Sequence, residues 1–251
     1  MFVGPPLGFR IKRGVSKPLH WFANKLFRLH TGRGERPVFY DVDETLPELR
    51  RLDENYETIL AELQQVLPNQ AGIPRYHEAD AIQEGISALD ERAWRVFFLG
   101  MHWAGESFPT RATCPRTVEL LDGVPHVLQA FFSILEPGKD VPHHDDPAMH
   151  YLRYHLALIV PEEKPPTIRI KDQYYTWKTG ESMFFDDSWD HEVINDSPTV
   201  RVVLVVDVLR PTIWPLHVFN LALAKLREPP RRAWDSIFKR VVGGSLSPTG
   251  E

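Results

Sequence analysis

Two segments of the sequence contain residue types that bind transition metals. Residues 143–146 read His143-His144-Asp145-Asp146, and a further histidine, His191, lies at the start of a later apolar run. One His-x-Asp pair and a distant histidine supply two imidazoles and a carboxylate. This set suits Fe(II) and leaves three octahedral positions for a chelating 2-oxo acid and O2. The spacing alone does not distinguish His144-x-Asp146 from His143-x-Asp145.

Two arginines lie inside runs that are otherwise apolar. Arg153 falls within residues 152–160 and Arg201 within residues 200–207. An arginine that points into a β core is costly unless it meets an anion. Its planar guanidinium suits a carboxylate, of which 2-oxoglutarate has two. The alternative is that either side chain faces solvent on the polar side of its strand.

Other functions use parts of the same residue set. An isolated His-x-Asp pair is also typical of a polar surface loop. A zinc hydrolase uses similar ligands but does not need Arg153 and Arg201. A non-catalytic cupin-like binding module would keep the barrel without oxygenase chemistry. The histidines, the acid and both arginines together favour an oxygenase.

Composition bounds the class of protein. The chain has 251 residues with 43% hydrophobic content, which suits one catalytic domain. The net charge of −5 argues against a nucleic-acid partner. A single cysteine, Cys114, excludes an intrachain disulfide and a cysteine-based zinc site. No run reaches the length of a membrane span, and basic residues interrupt any secretory signal. We expect a cytoplasmic protein, and the alternative is a protein that contacts the inner face of the membrane peripherally.

The order of elements predicts three regions. Residues 1–38 form a basic arm that either contacts a membrane surface or packs on the domain as a strap. A helix is expected at 46–67, stopped by Pro68, then a strand at 94–99 and a helix after Pro115. Further strands are predicted at 129–135, 153–160, 167–171, 174–178, 182–186, 191–195 and 201–209. No crossover helix separates them, so an antiparallel sandwich or barrel is expected within residues 39–212. Residues 213–251 form a helical tail, with helical character at 214–225 and again at 234–238.

Ordered sequence blocks carry a family resemblance. They are Phe132-Ser133-Ile134-Leu135-Glu136-Pro137-Gly138, His144-x-Asp146-Pro147, Leu152-Arg153-Tyr154-His155-Leu156, Phe185-Asp186-Asp187-Ser188-x-x-His191-Glu192-Val193, and Arg201 followed by Asp207-Val208-x-x-Pro211. Over residues 133–211 the chain resembles the aspartyl/asparaginyl β-hydroxylase family of 2-oxoglutarate oxygenases. The resemblance implies a mainly β fold with flanking helices, built on a double-stranded β-helix of the jelly-roll or cupin-like kind.

The resemblance also implies roles for single residues. It implies iron held by His144 and His191, and 2-oxoglutarate held by Arg201 and Ser133. It places Arg153 and His155 in the same pocket, at the other end of the cosubstrate, and its register selects His144 over His143. Asp146 is the informative departure, because animal members have glycine there. The bacterial lipid A hydroxylase branch has His-x-Asp-Pro followed by Leu-Arg-Tyr-His, as here, and this chain looks closer to that branch.

The implied reaction is hydroxylation of an unactivated C–H bond with Fe(II), 2-oxoglutarate and O2, releasing succinate and CO2. Candidate substrates are a lipid acyl chain, a peptidyl Asp or Asn side chain, and a free small molecule. We expect His144, Asp146 and His191 to act at the metal, and Ser133, Arg153, His155 and Arg201 to bind the cosubstrate.

Overall fold

The computed structural model describes residues 21–80, 83–101, 109–146 and 148–227. Much of the predicted basic arm and the second helical stretch of the tail, at 234–238, lie outside the described residues. Among the residues described, no helix is long and apolar enough to cross a membrane.

In the described residues, nine antiparallel strands form two sheets. They are β1 (Trp94–Met101), β2 (Val127–Leu135), β3 (Val141–His144), β4 (Tyr151–Ile159), β5 (Thr167–Ile170), β6 (Gln173–Thr176), β7 (Ser182–Phe185), β8 (His191–Ile194) and β9 (Arg201–Leu209). The larger sheet has the order β1-β2-β9-β4-β7 and the smaller one β3-β8-β5-β6. Strands β2 to β9 thus form a double-stranded β-helix, and β1 extends it, which confirms the predicted fold class. The sequence did not predict β3 as a strand.

Side chains of the larger sheet alternate between two cores, as the pleat requires. The outer face of β9 packs under the helices through Val202, Leu204, Val206 and Val208. The inner face turns toward the smaller sheet and carries Arg201, Val203, Val205 and Asp207. The same parity places Ser133 of β2 and both Arg153 and His155 of β4 on the inner face. One shared face therefore collects the polar residues that the sequence singled out.

Some of the helices cover the outer face of the larger sheet, and the others lie at its margins. The described helices are α1 at 21–30, then α2 (Val42–Thr45), α3 (Arg50–Glu54), α4 (Tyr56–Val66), α5 (Tyr76–Ala79), α6 (Glu84–Ser87), α7 (Pro115–Asp122) and α8 (Trp214–Arg227). The helix predicted at 46–67 is divided between a 3-10 turn, α3 and α4. Asn55 causes the break, because its side-chain amide donates to the Arg51 carbonyl at 2.8 Å and competes with the backbone. The helix α4 ends at Val66, two residues before Pro68, which confirms the predicted stop, and Pro68 itself lies in the 3-10 turn Leu67–Gly72.

The helix α1 packs on α8 beside the barrel. A small separate core joins them through Ala23, Phe27, Met149 and Leu223. Val38, at the end of the predicted arm, is buried in the core between the sheets. The described part of the arm is thus packed against the domain.

Candidate active site

His144 and His191 lie opposite each other on the neighbouring strands β3 and β8. Their ring centroids are 4.2 Å apart. The Nδ1 atom of His144 lies 2.8 Å from the Pro142 carbonyl, and that of His191 lies 2.8 Å from the Trp189 carbonyl. Because a carbonyl only accepts, each Nδ1 carries the hydrogen and each Nε2 keeps a free lone pair. Two adjacent imidazoles are therefore fixed in the tautomer that binds a metal through Nε2.

Burial keeps both imidazoles neutral. It lowers the pKa of His191 to about 3, with the neighbouring His144 adding to the effect. Burial is also the largest cause that lowers the pKa of His144. Neutral imidazole is the form that binds metals, so the environment favours a metal ligand over a protonated side chain.

The alternative pair, His143 and Asp145, does not enter this site. Both side chains are exposed, since β3 alternates and its neighbouring residue His144 points inward. The Nδ1 atom of His143 lies 3.4 Å from an oxygen of Asp190 at the surface. Strand parity thus separates the two His-x-Asp pairs that spacing alone left equal.

Asp146 is turned toward protein donors. Its Oδ1 accepts from the backbone N–H of Ala148 at 2.9 Å, and its Oδ2 accepts from the Tyr151 hydroxyl at 2.5 Å. The described residues contain no group of three or more His, Cys, Asp or Glu that could hold a metal. The structure therefore brings His144 and His191 together but not all three predicted ligands, and Asp146 as a metal ligand stays a prediction.

Arg201 is a buried cation without an acidic partner in the described part of the chain. It is 3% exposed, and its Nη1 lies 3.4 Å from the Ser133 hydroxyl. Its Nε has no hydrogen-bond partner, and its guanidinium lies 4.3 Å from the centre of the Trp177 ring. Burial lowers the pKa of Arg201 to about 9. An arginine in this state is a receptor for an anion.

Arg153 has the acids that Arg201 lacks. Its Nε and Nη2 donate to both oxygens of Asp207 at 2.7 and 2.8 Å. Its Nη1 lies 3.0 Å from Asp187. The anion that a core arginine requires is here part of the protein, so these contacts explain its burial without a ligand. A direct contact between Arg153 and a cosubstrate stays a prediction.

His155 adds a second unsatisfied polar group beside Arg201. Its Nδ1 is buried without a partner, and so is the Nε1 of Trp177. The two rings stack with centroids 6.0 Å apart, and Phe185 meets His155 edge-on at 5.0 Å. Burial, then the charges of Arg153 and Arg201, lower the pKa of His155 well below its usual value, so it is neutral. Buried polar atoms without partners indicate a place where a polar ligand binds.

Several residues of this region were missed by the sequence argument. Trp94 donates its indole N–H to Ser133 at 2.9 Å, Tyr151 bridges Asp146 and Asp187, and Gln129 donates to Asp207 at 2.5 Å. The sequence could have indicated Asp207, because it is a charged residue within an otherwise apolar strand, like Arg201. The others gave no signal in spacing or composition.

A family model described as Aspartyl/Asparaginyl beta-hydroxylase matches residues 53–211. An Ornithine lipid ester-linked acyl 2-hydroxylase from Rhizobium tropici is 36% identical over 191 residues, covering 76% of this chain and 66% of that protein. The Homo sapiens Aspartyl/asparaginyl beta-hydroxylase is 37% identical over 106 residues, covering 40% of this chain and 14% of that protein. The chain thus spans less than two thirds of the length of either relative.

Solved structures also align with part of the chain at low identity. A Pseudomonas putida prolyl-4-hydroxylase aligns with a TM-score of 0.42 and 13% identity, covering 62% of this chain and 88% of that one.

Proposed function

Because the chain belongs to the aspartyl/asparaginyl β-hydroxylase family, we propose that it is an Fe(II)- and 2-oxoglutarate-dependent hydroxylase. One observation carries the proposal. Arg201, buried without an acidic partner among the described residues, lies on the face of the larger sheet that turns toward the smaller sheet, and the smaller sheet holds two neutral imidazoles whose Nδ1 atoms are bonded to carbonyls. A cation that needs an anion and a metal-binding pair, placed on the two sheets that face each other, match an anionic chelating cosubstrate. Bound iron would supply the activation of O2 that couples oxidative decarboxylation of 2-oxoglutarate to conversion of C–H to C–OH.

His144 and His191 would hold the metal. Their Nδ1–H bonds to the Pro142 and Trp189 carbonyls orient both rings and raise their basicity as ligands. Asp146 would serve as the third ligand, for which its carboxylate must exchange the Tyr151 hydroxyl for the metal. The residues present fit iron, because His144 and His191 are already oriented as ligands and Asp146 would need only to turn toward them.

Arg201 would bind the carboxylate of 2-oxoglutarate that is distant from the metal. Ser133 supports this role because its hydroxyl lies beside Nη1 and is itself held by Trp94. The unpartnered atoms of His155 and Trp177 fit the same anion as hydrogen-bond donors. The aromatic wall around them excludes water, which strengthens each polar contact to the cosubstrate.

We propose that the substrate is a lipid acyl chain. Two observations support this class over a peptidyl Asp or Asn side chain. A relative that is 36% identical over 76% of the chain is an Ornithine lipid ester-linked acyl 2-hydroxylase. The chain also has Asp146, which the resemblance associates with lipid A hydroxylases rather than with animal enzymes. A free small molecule is the remaining substrate class, and a cupin-like binding module is the non-catalytic alternative.

The test is anaerobic titration of metal-free protein with Fe(II) and then 2-oxoglutarate, followed by visible absorption. We expect a charge-transfer band that needs both components and is lost in His144→Ala. The neighbouring, exposed His143→Ala is the matched control and should keep the band. Succinate release is then compared for an ester-linked acyl lipid, an Asp-containing peptide and free amino acids. A folded protein that shows no band would support the binding module, and peptide-dependent succinate release would overturn the lipid assignment.

A further inference from the structure

The helices α1 and α8 expose large apolar side chains next to each other. Six of the exposed large hydrophobic residues lie on α1, on α8 or immediately before α8: Trp21, Phe22, Leu29, Ile213, Trp214 and Val218. Trp21 is 66% exposed and Trp214 is 77% exposed. The ring of Phe22 meets Phe219 of α8 edge-on at 6.5 Å, so the two helices form one surface. Apolar surface collected in this way marks an interaction site.

The exposed residues form a stripe on each helix. On α1, Trp21, Lys25, Arg28 and Leu29 are exposed, whereas Ala23 and Phe27 are buried. On α8, Trp214, Val218, Ala222 and Lys225 are exposed, whereas Asn220 and Leu223 are buried. These spacings of three, four and seven residues keep each set on one side of its helix. Each helix therefore buries one side against the domain and presents the other to its surroundings.

The surface is basic and lacks acids. Neither residues 21–30 nor Trp214–Arg227 contain an aspartate or a glutamate, and the exposed side chains include Lys25, Arg28 and Lys225. The ammonium group of Lys25 lies 5.2 Å from the Trp21 ring. Tryptophan is favoured at the boundary between headgroups and acyl chains, and basic residues are favoured beside anionic headgroups.

We propose that the surface formed by α1 and α8 docks on an anionic lipid bilayer. Exposed tryptophans with lysine and arginine at their edge fit the boundary region of such a membrane. A second copy of the chain fits poorly, because self-association would place cations against cations. The charge of the surface thus selects the lipid partner.

Both helices of this surface hold the loop that leads from Asp146 to β4. The side-chain oxygen of Asn24 accepts from the Met149 backbone N–H at 3.2 Å. The side-chain amide of Asn220 donates to the His150 carbonyl at 2.8 Å. Docking would thus place this loop close to the bilayer. The surface itself does not depend on the chemistry at His144 and His191, so the two proposals fail separately.

The experiment is flotation of the full chain with unilamellar vesicles. We expect binding to vesicles of phosphatidylglycerol and phosphatidylcholine at low ionic strength, weaker binding at high salt, and little binding to pure phosphatidylcholine. Trp21→Ala with Trp214→Ala should abolish flotation with the anionic vesicles. Lys25→Glu with Arg28→Glu should weaken it at least tenfold, since each cation at an anionic surface is worth about fivefold.

Matched controls lie elsewhere on the surface. Leu89, at 63% exposure, and Lys178, whose side chain is 71% exposed, give Leu89→Ala and Lys178→Glu. Both should float like the wild type, and circular dichroism should show all variants folded. Wild-type protein that does not float with anionic vesicles would overturn the proposal. So would a dimer that dissociates in the tryptophan variant while vesicle binding is unchanged.

Discussion

The guanidinium of Arg201 lies 4.3 Å from the centre of the Trp177 ring and meets no carboxylate in the described part of the chain. On the adjacent strand, Arg153 is held by Asp207 and Asp187. Arg201 is buried and Arg153 is largely buried, yet only Arg153 has its counter-charge supplied by the protein. This difference assigns them different tasks, one to an incoming anion and one to the architecture of the barrel.

Replacing Arg201 with methionine should separate cosubstrate binding from stability. We expect Arg201→Met to weaken 2-oxoglutarate binding about 10- to 100-fold, because a charge-assisted hydrogen bond to the carboxylate is lost. Iron binding should persist, and the unliganded protein should be as stable as wild type or more so, since a desolvated cation is removed. Spectral titration and urea denaturation measure the two effects. Unchanged 2-oxoglutarate affinity would remove Arg201 from the cosubstrate site.

The same substitution at Arg153 should act mainly on stability, whereas at Arg201 it acts mainly on 2-oxoglutarate binding. Arg153→Met leaves Asp187 and Asp207 buried without their cation, so we expect a loss of about 3–5 kcal/mol in the free energy of unfolding. Adding Asp207→Asn should recover part of that loss, because one uncompensated charge is neutralised. Urea denaturation of the single and double variants checks this. A loss below that of Arg201→Met would show that the acids are not held by Arg153.

Apolar runs and the turn residues between them sufficed to predict most strands of the barrel, because each strand packs a continuous hydrophobic side against a core. The same runs made Arg153 and Arg201 conspicuous. Their difference was not predictable, since Asp187 reaches Arg153 only through the pairing of β4 with β7. The orientation of Asp146 depends likewise on a loop contact to Tyr151. The helix break at Asn55 had no apolar signature, because it arises from a local hydrogen bond.

The buried imidazole of His191 should make stability depend on pH. Its pKa is about 3 in the folded protein, against about 6.5 for an unperturbed histidine. Below about pH 6.5 the unfolded chain takes up a proton that the folded protein does not, so stability falls as pH decreases from about 6.5 to 3. The slope is up to ~1.4 kcal/mol per pH unit.

Denaturation of metal-free wild type and His191→Gln over this pH range isolates the contribution of His191. The difference in unfolding free energy between the two proteins should change in favour of the variant as the pH is lowered. Parallel curves would show that His191 protonates with ordinary ease in the folded state.

Tyr151 should compete with the metal for Asp146. Its hydroxyl lies 2.5 Å from Oδ2 of Asp146 and 3.2 Å from Asp187. In Tyr151→Phe the carboxylate is free to turn toward His144 and His191, so we expect tighter Fe(II) binding. Asp146→Ala should weaken Fe(II) binding without abolishing it, because the two imidazoles remain. Calorimetric titration with Fe(II) under anaerobic conditions measures both. Weaker binding in Tyr151→Phe would mean that the hydroxyl positions Asp146 instead.

Arg36 should influence the metal through the backbone that holds His191. Its Nε lies 2.8 Å from Asp186, and its guanidinium lies 3.5 Å from the centre of the Trp189 ring. The carbonyl of Trp189 accepts from Nδ1 of His191 and so fixes that imidazole. Asp186 is also paired with Arg210 at 2.8 Å. The acid therefore keeps a cation when Arg36 is removed, and the fold should survive.

We therefore expect Arg36→Met to lower Fe(II) affinity by up to about 10-fold, the lower end of the range for groups that hydrogen-bond a metal-binding histidine directly, because the Trp189 carbonyl itself remains. Its loss of stability should be smaller than that of Arg153→Met. Arg50→Met is the matched control, since the partly exposed Arg50 pairs with two acids, Asp43 and Asp53, away from His144 and His191. That change should cost at most about 1 kcal/mol and leave Fe(II) affinity unaltered. Equal Fe(II) affinities in Arg36→Met and Arg50→Met would show that His191 is oriented without Arg36.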